Sequence, residues 1–191
     1  NEEPAIRTQM RLLNACTGLQ RGSILNGSRD LTKKVWGEIN PYIENFDCVG
    51  KTMEDLNEYC ANNDVDILII DQLDKINVTG KFNATHEKLR EVYTQARELA
   101  KRHNILVIGM SQASAEAQGR SRVTFSAMEN SKTGKAAEAD IILGLGKEDE
   151  QENFMDDCIR FVTLSKNKLT GDHKEFEVIL RPTISRFAER N

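Results

Sequence analysis

Three short runs in this 191-residue chain carry residue types that could act together on a phosphate. The first is DVDILIIDQLDKI, residues 64–76, where Ile67, Leu68, Ile69 and Ile70 lead into Asp71. Four apolar, mostly β-branched residues in a row suit a strand buried on both faces of a parallel sheet. Open α/β sheets keep their ligands beyond the carboxyl ends of such strands. A carboxylate there can hold a magnesium ion on nucleotide phosphates. The bare run also fits a core strand followed by an ordinary acidic turn. The second run is Ser111–Gln112, which ends the apolar stretch 105–110. A glutamine beside a metal-bound phosphate can orient water or sense the terminal phosphate, and a glutamine can equally just cap a strand. The third is SKNKLTG, residues 165–171, in which Lys166 and Lys168 alternate off a strand end and so begin on one face. Paired cations there suit a polyanion such as a triphosphate; a lysine-rich hairpin turn is the plain alternative.

These groups meet only if the chain brings their strand ends together. The separation of Asp71 and Gln112 is long enough for one helical crossover. A right-handed crossover sets two parallel strands side by side with both carboxyl ends at one edge. The intervening pattern provides the helix: residues 84–103 place Leu89, Val92, Tyr93, Ala96, Leu99 and Ala100 at helical spacing, and Asn104 closes it. Upstream, residues 4–17 read as a helix with Pro4 in its first turn and Gly18 as a stop. A second helix is predicted over 30–39 and a short strand near 42–49. A third helix over 52–61 opens on a capping-box pattern, Thr52 with Asp55 three residues on. Residues 72–83 read as a loop, and the small-residue-rich stretch 113–129 as a mobile one. Further strands are predicted over 139–145, 159–165 and 176–180, with an edge strand at 184–187. Strand–helix–strand units giving way to hairpins predict an α/β fold, a mixed sheet flanked by helices.

Composition bounds the reading. Hydrophobic content of 39% and charged content of 29% are ordinary for a soluble globular domain. No apolar stretch approaches membrane-spanning length, and the opening NEEPAIRTQ lacks the basic start and apolar centre of a signal peptide. Cys16, Cys48, Cys60 and Cys158 are far apart, as reduced thiols of a cytosolic protein are; they form neither a zinc pattern nor a disulfide frame. His86, His103 and His173 are equally scattered. A net charge of −4 weighs against a generally basic nucleic-acid binder. Charge is uneven, however. Residues 147–157 form an acidic loop, whereas 113–135 carries Arg120, Arg122, Lys132 and Lys135 against Glu116 and Glu129. Local basicity of that kind can serve nucleic-acid phosphates in an acidic protein.

The order LIID, GMSQ, SKTGKAAEADIIL (131–143) and SKNKLTG resembles the RecA-type motor domain of DnaB-family replicative helicases. It is also similar to the helicase half of bifunctional phage primase–helicases. LIID then corresponds to the Walker B strand. NEEPAIRTQMRLL resembles the segment just after the family's second core strand, where a glutamate two residues before a proline activates water; Glu2 is the counterpart and Glu3 its neighbour. The resemblance covers essentially the whole chain. It implies a RecA-like P-loop NTPase core over residues 1–191, with a mostly parallel sheet flanked by helices and C-terminal antiparallel hairpins. It further implies a ring-forming enzyme, a homohexamer, that uses Mg2+ and ATP or another NTP to move along single-stranded DNA in a bacterial or phage-infected cytoplasm. Asp71 would hold magnesium through water, with Ser111 and Gln112 beside the nucleotide and Gln112 sensing the γ-phosphate. Lys166 and Lys168 would reach the nucleotide of the adjacent subunit. Arg120, Arg122, Lys132 and Lys135 would meet DNA phosphates in the central channel.

The chain departs from the family pattern twice. No G-x-x-x-x-G-K-S/T occurs; Gly50–Lys51–Thr52 lacks the earlier glycine, since position 45 is Asn45. The family's P-loop lies upstream of NEEP, so the chain reads as a part that begins after the P-loop, its helix and most of the second strand. Without that backbone nest and lysine, tight nucleotide binding by the chain alone is not expected. The other departure is Lys168, where the family usually carries an arginine finger; lysine keeps the charge but lacks the planar fork. Two alternatives share parts of the pattern: a RecA- or KaiC-like ATPase of recombination or regulation, and a non-catalytic assembly or DNA-binding module that has lost its P-loop.

Overall fold

The computed structural model describes residues 4–27, 29–45, 47–127, 134–148 and 158–190. The chain divides into two units, one of Asn1–Asp47, Gln151–Arg160 and Glu177–Asn191, the other of Cys48–Glu150 and Phe161–Phe176.

In the first unit α1 (Ala5–Thr17) starts after Pro4, which serves as N-cap where a missing N–H is harmless. It stops at Gly18, which is left-handed (φ 69°) and donates its N–H to the Asn14 carbonyl. α2 (Arg21–Asn26) follows, a helix the sequence did not announce, and then α3 (Arg29–Ile39). The three helices pack on one another. Among the described residues the strand expected over 42–49 does not form. Asn40–Tyr42 makes a 3-10 turn with Pro41 near its start, and Tyr42 and Val49 are exposed. The C-terminal strands β5 (Glu175–Arg181, which begins in the other unit) and β6 (Arg186–Glu189) form an antiparallel hairpin from Val178↔Glu189 to Arg181↔Arg186. Its turn takes Pro182–Ile184, so the last strand starts two residues later than predicted. Arg186 donates through Nε to the Ala15 carbonyl at 2.9 Å, satisfying an end of α1.

In the second unit α4 (Met53–Asn62) is capped as expected: the Thr52 hydroxyl accepts from the Asp55 amide, and the Asp55 carboxylate accepts from the Thr52 amide. β1 (Ile67–Ile70), α5 (Thr85–His103) and β2 (Leu106–Gly109) form the anticipated strand–helix–strand unit. The strands are parallel, in register from Ile67↔Leu106 to Ile70↔Gly109. α5 buries Leu89, Val92, Tyr93, Ala96 and Leu99, packs on α4 and β2, and ends at left-handed Asn104. β1 is not buried on both faces, contrary to expectation. Leu68 and Ile70 are buried, while Ile67 and Ile69 are 56% and 59% exposed. Leu106 and Ile108 of β2 are exposed too, because among the described residues helices cover only one face of this pair.

α6 (Gly134–Glu138) leads into β3 (Ile141–Gly146), which pairs antiparallel with β4 (Ile159–Asn167). The strand order is β1-β2 in one sheet and β3-β4-β5-β6 in the other. The fold is thus α/β with flanking helices and C-terminal hairpins; among the described residues the parallel strands are β1 and β2, and the other four strands form an antiparallel sheet rather than extending the mostly parallel one expected. The described part of the supposed mobile loop is anchored. It contains two 3-10 turns, Ala115–Ala117 and Phe125–Ala127, and buries Ala117 and Val123.

Candidate nucleotide site at the strand ends

Ladder bonding continues past β1 and β2. Met110 donates its N–H to the Ile70 carbonyl, and Leu73 donates to the Met110 carbonyl, both at 2.9 Å. Asp71 and Gln112 therefore leave adjacent strand ends at the same edge, and both are exposed. Between Asp71 and Leu73 the chain turns through Gln72, a non-glycine in the left-handed region (φ 54°) whose Oε1 is buried without a hydrogen-bond partner. Such a conformation costs on the order of 1–3 kcal/mol and persists only where the surroundings enforce it, often at functional sites.

Behind these exposed groups lies a polar cluster. The Asp74 carboxylate accepts from Lys135 Nζ at 2.7 Å and Ser111 Oγ at 2.9 Å on one oxygen, and from the Tyr93 hydroxyl at 2.8 Å on the other. Lys135 also donates to Ser111 Oγ at 3.2 Å and lies 5.6 Å from the Tyr93 ring centre. Burial pushes the Tyr93 phenol far above its ordinary value, so it stays a donor. Lys135 is 0% exposed. This corrects the expectation that it meets DNA phosphates: its ammonium faces the interior, drawn there by Asp74 and Ser111. Ser111, expected beside the nucleotide, gives its hydroxyl proton to Asp74. The sequence reading singled out neither Asp74 nor Tyr93, the two further members of this cluster. Asp74 could have been flagged as the second acid of IIDQLD, whereas Tyr93 reads in sequence only as one more apolar position of α5.

Lys166 and Lys168 converge on the carbonyl end of α6. Lys166 donates to the Ala136 carbonyl; Lys168 donates to the Ala137 carbonyl and to Asp140 Oδ1, each at 3.2 Å. Cations are favourable at a helix C-terminus. Burial, and then the neighbouring charge of Lys168, hold the Lys166 ammonium below the usual lysine range. From α5, Arg97 pairs with Glu138 at 3.4 Å and Asp140 at 3.7 Å.

Arg120 and Arg122 are exposed, the latter 4.0 Å from Glu175. Arg122 edges a cavity of about 420 Å³ shared with Phe125, Ser165, His173, Lys174 and Glu175. Glu2 and Lys132 lie outside the described residues, as does most of the acidic loop 147–157.

Magnesium takes one or two carboxylates and fills its octahedron with water and phosphate oxygens. Asp71 supplies an exposed carboxylate of that kind. Among the described residues no group of three or more His, Cys, Asp or Glu could hold a metal by itself. A single exposed carboxylate such as Asp71 could supply one ligand to an ion of that kind.

The model of the DnaB-like helicase C-terminal domain matches residues 5–189. Among solved structures, a DnaB-like replicative helicase described with its interactions with primase superposes with a TM-score of 0.81 at 19% identity, covering 100% of this chain and 49% of that one. A second solved structure, described as an ATPase domain, superposes with a TM-score of 0.75 at 17% identity, covering 100% of this chain and 72% of that one. The chain thus shares their fold and spans about half the length of the first. No curated protein matches it. With the family model spanning all but a few terminal residues, the chain belongs to the DnaB-like helicase C-terminal domain family.

Proposed function

We propose that this chain is the C-terminal part of a replicative DNA helicase motor, in which hydrolysis of ATP or another NTP drives translocation on single-stranded DNA and duplex unwinding. The observation that carries the reading is that Asp71 and Gln112 follow neighbouring parallel strand ends at one edge, within a chain of this family. Asp71 anchors the magnesium ion, which when bound offsets charge on the phosphates. Gln112 stands beside the terminal phosphate, and Glu2 activates water. Lys166 and Lys168 serve the nucleotide of the next subunit in a homohexameric ring. To do so Lys168 exchanges the Ala137 carbonyl and Asp140 for phosphate oxygens, a trade between like partners that leaves no ammonium unpaired. Arg120, Arg122 and Lys132 meet the DNA backbone. Among the described residues no helix is long and apolar enough to cross a membrane, and the work of such a motor places it in a bacterial or phage-infected cytoplasm.

The test uses the purified full-length protein. Magnesium-dependent NTP hydrolysis, stimulated by single-stranded DNA and accompanied by strand displacement on a fork, is the expected result. Asp71→Asn should abolish hydrolysis without unfolding the protein. Hydrolysis without displacement would favour a recombinase- or KaiC-like ATPase, and absence of both would leave a non-catalytic module.

A further inference from the structure

The most heavily buried charge among the described residues is Lys135, and its partners adjoin the two candidate site residues. Asp74 lies three residues beyond Asp71, and Ser111 immediately precedes Gln112. Lys135 Nζ, Asp74 Oδ2 and Ser111 Oγ form a closed triangle with sides of 2.7, 2.9 and 3.2 Å. Tyr93 fixes the remaining Asp74 oxygen at 2.8 Å. The segments carrying Asp71 and Gln112 are thus cross-braced by side chains from α5 and α6, in addition to their backbone ladder.

We infer that Lys135 is a positioning residue of the nucleotide site, holding the Asp71 and Gln112 segments at a fixed spacing through Asp74 and Ser111. The inference rests on reading Asp71 and Gln112 as nucleotide-site residues. An ammonium is expensive to remove from water unless it is paired and hydrogen-bonded. Well-packed apolar residues often stabilise a core as well as a buried ion pair does, so stability alone does not account for a lysine here. What apolar packing cannot supply is direction. Lys135 gives one hydrogen bond to Asp74 and one to Ser111, and a slide of Asp74 against Ser111 breaks two of the triangle's bonds together. Lys135 cannot act on DNA phosphates from this position.

The test compares wild-type full-length protein with Lys135→Met, which keeps an unbranched apolar stem one atom shorter and removes the ammonium, and Tyr93→Phe, which keeps the ring and loses only the hydroxyl. Misplacement of reacting groups lowers turnover, so Lys135→Met should reduce kcat for NTP hydrolysis about tenfold or more, and Tyr93→Phe a few-fold, with KM for the nucleotide changed by less than about twofold. The double variant Lys135→Met/Asp74→Asn should turn over no more slowly than the slower single variant, because both break one brace. If Lys135→Met fails to fold, Tyr93→Phe decides. A lowered Tm with unchanged kcat and KM would reduce the cluster to a structural element and overturn the inference. So would a loss confined to single-stranded DNA affinity. A wild-type protein that hydrolyses no NTP would overturn the functional reading and this inference with it, whereas an active wild type with unaltered Lys135→Met and Tyr93→Phe variants sinks the inference alone.

Discussion

Gly109, the last residue of β2, lies against the side chain of Leu73, so that a Cβ added at 109 would sit 2.6 Å from Leu73 Cδ2. Leu73 is buried, and its amide bonds the Met110 carbonyl. It is therefore the hinge pin of the turn that presents Asp71. Gly109→Ala forces that leucine aside in a packed environment. The expected cost is about 1–3 kcal/mol, seen as a lower midpoint in urea or thermal unfolding. Hydrolysis per folded molecule should fall as well, since the turn after Asp71 moves with Leu73. An unchanged midpoint would show that the leucine yields freely.

Gly144 and Gly146 present a harder constraint, because what a Cβ would meet there is backbone. At 144 it collides with the Val123 carbonyl oxygen, and at 146 with the Ser121 carbonyl oxygen. The segment bearing Arg120 and Arg122 lies directly on β3 only because these two side chains are absent. Gly146→Ala should destabilise by roughly 3 kcal/mol or lift the segment off the strand. Limited proteolysis near residue 120 distinguishes the outcomes: faster cleavage at an unchanged Tm reports lifting, and a lowered Tm reports strain retained in the fold.

The alkaline limb of activity should reflect Lys166. Its ammonium is held below the ordinary 10.5, first by burial and next by the positive charge of Lys168. The group is a cation below its own value and neutral above it. A step that needs the cation therefore fails, on raising pH, earlier than an exposed lysine would make it fail. The profile of kcat/KM, which reports the free enzyme, should bend downward below 10.5. Lys168→Ala removes the repulsion, so the bend should move upward even as the plateau falls. A bend that stays put in Lys168→Ala would argue that the two ammonium groups do not sense one another.

The cap of α4 offers a test independent of function. Thr52→Ala deletes the hydroxyl that accepts the Asp55 amide at 3.2 Å, at an expected cost of about 1 kcal/mol. The reciprocal contacts from the Thr52 amide, and then its hydroxyl, hold the Asp55 carboxyl below the ordinary 3.8. A lowered carboxyl value means a contribution present in full above 3.8 and lost as pH falls through the lower folded value. The difference in Tm between wild type and Asp55→Asn should accordingly shrink as the buffer is taken from neutral down through the carboxylate range.

Local chemistry was legible in the sequence wherever one element decided its own shape. Asn104 ends α5 because asparagine tolerates the left-handed region, and Thr52–Asp55 starts α4 because both capping bonds lie within one turn. The LIID and GMSQ runs paired as parallel strands because the helix between them has the length of a crossover. Other features leave no trace in the sequence, because the element is too short to show a period or its deciding partner is remote. α2 has six residues with Gly22 and Ser23 inside it and buries only Ile24, too little for a pattern. Tyr42 and Val49 are apolar, yet Asn40–Tyr42 is a 3-10 turn with Pro41 near its start and both side chains are exposed. Lys135 sits in a basic, small-residue run that suggests a surface; the acid that draws it inward is 61 residues away in the chain. The face of Ile67 and Ile69 is apolar and open, and one strand's composition cannot tell which of its faces will be covered.

α6 has only five residues, a rod about 7.5 Å long at 1.5 Å per residue. One end is bolted to Asp74 through Lys135. The other is gripped by Lys166 and Lys168 at its carbonyls and by Arg97 at Glu138. One short element thus adjoins both the strand-end turn that follows Asp71 and the lysine hairpin, so a substitution in α6 touches the surroundings of both candidate groups at once.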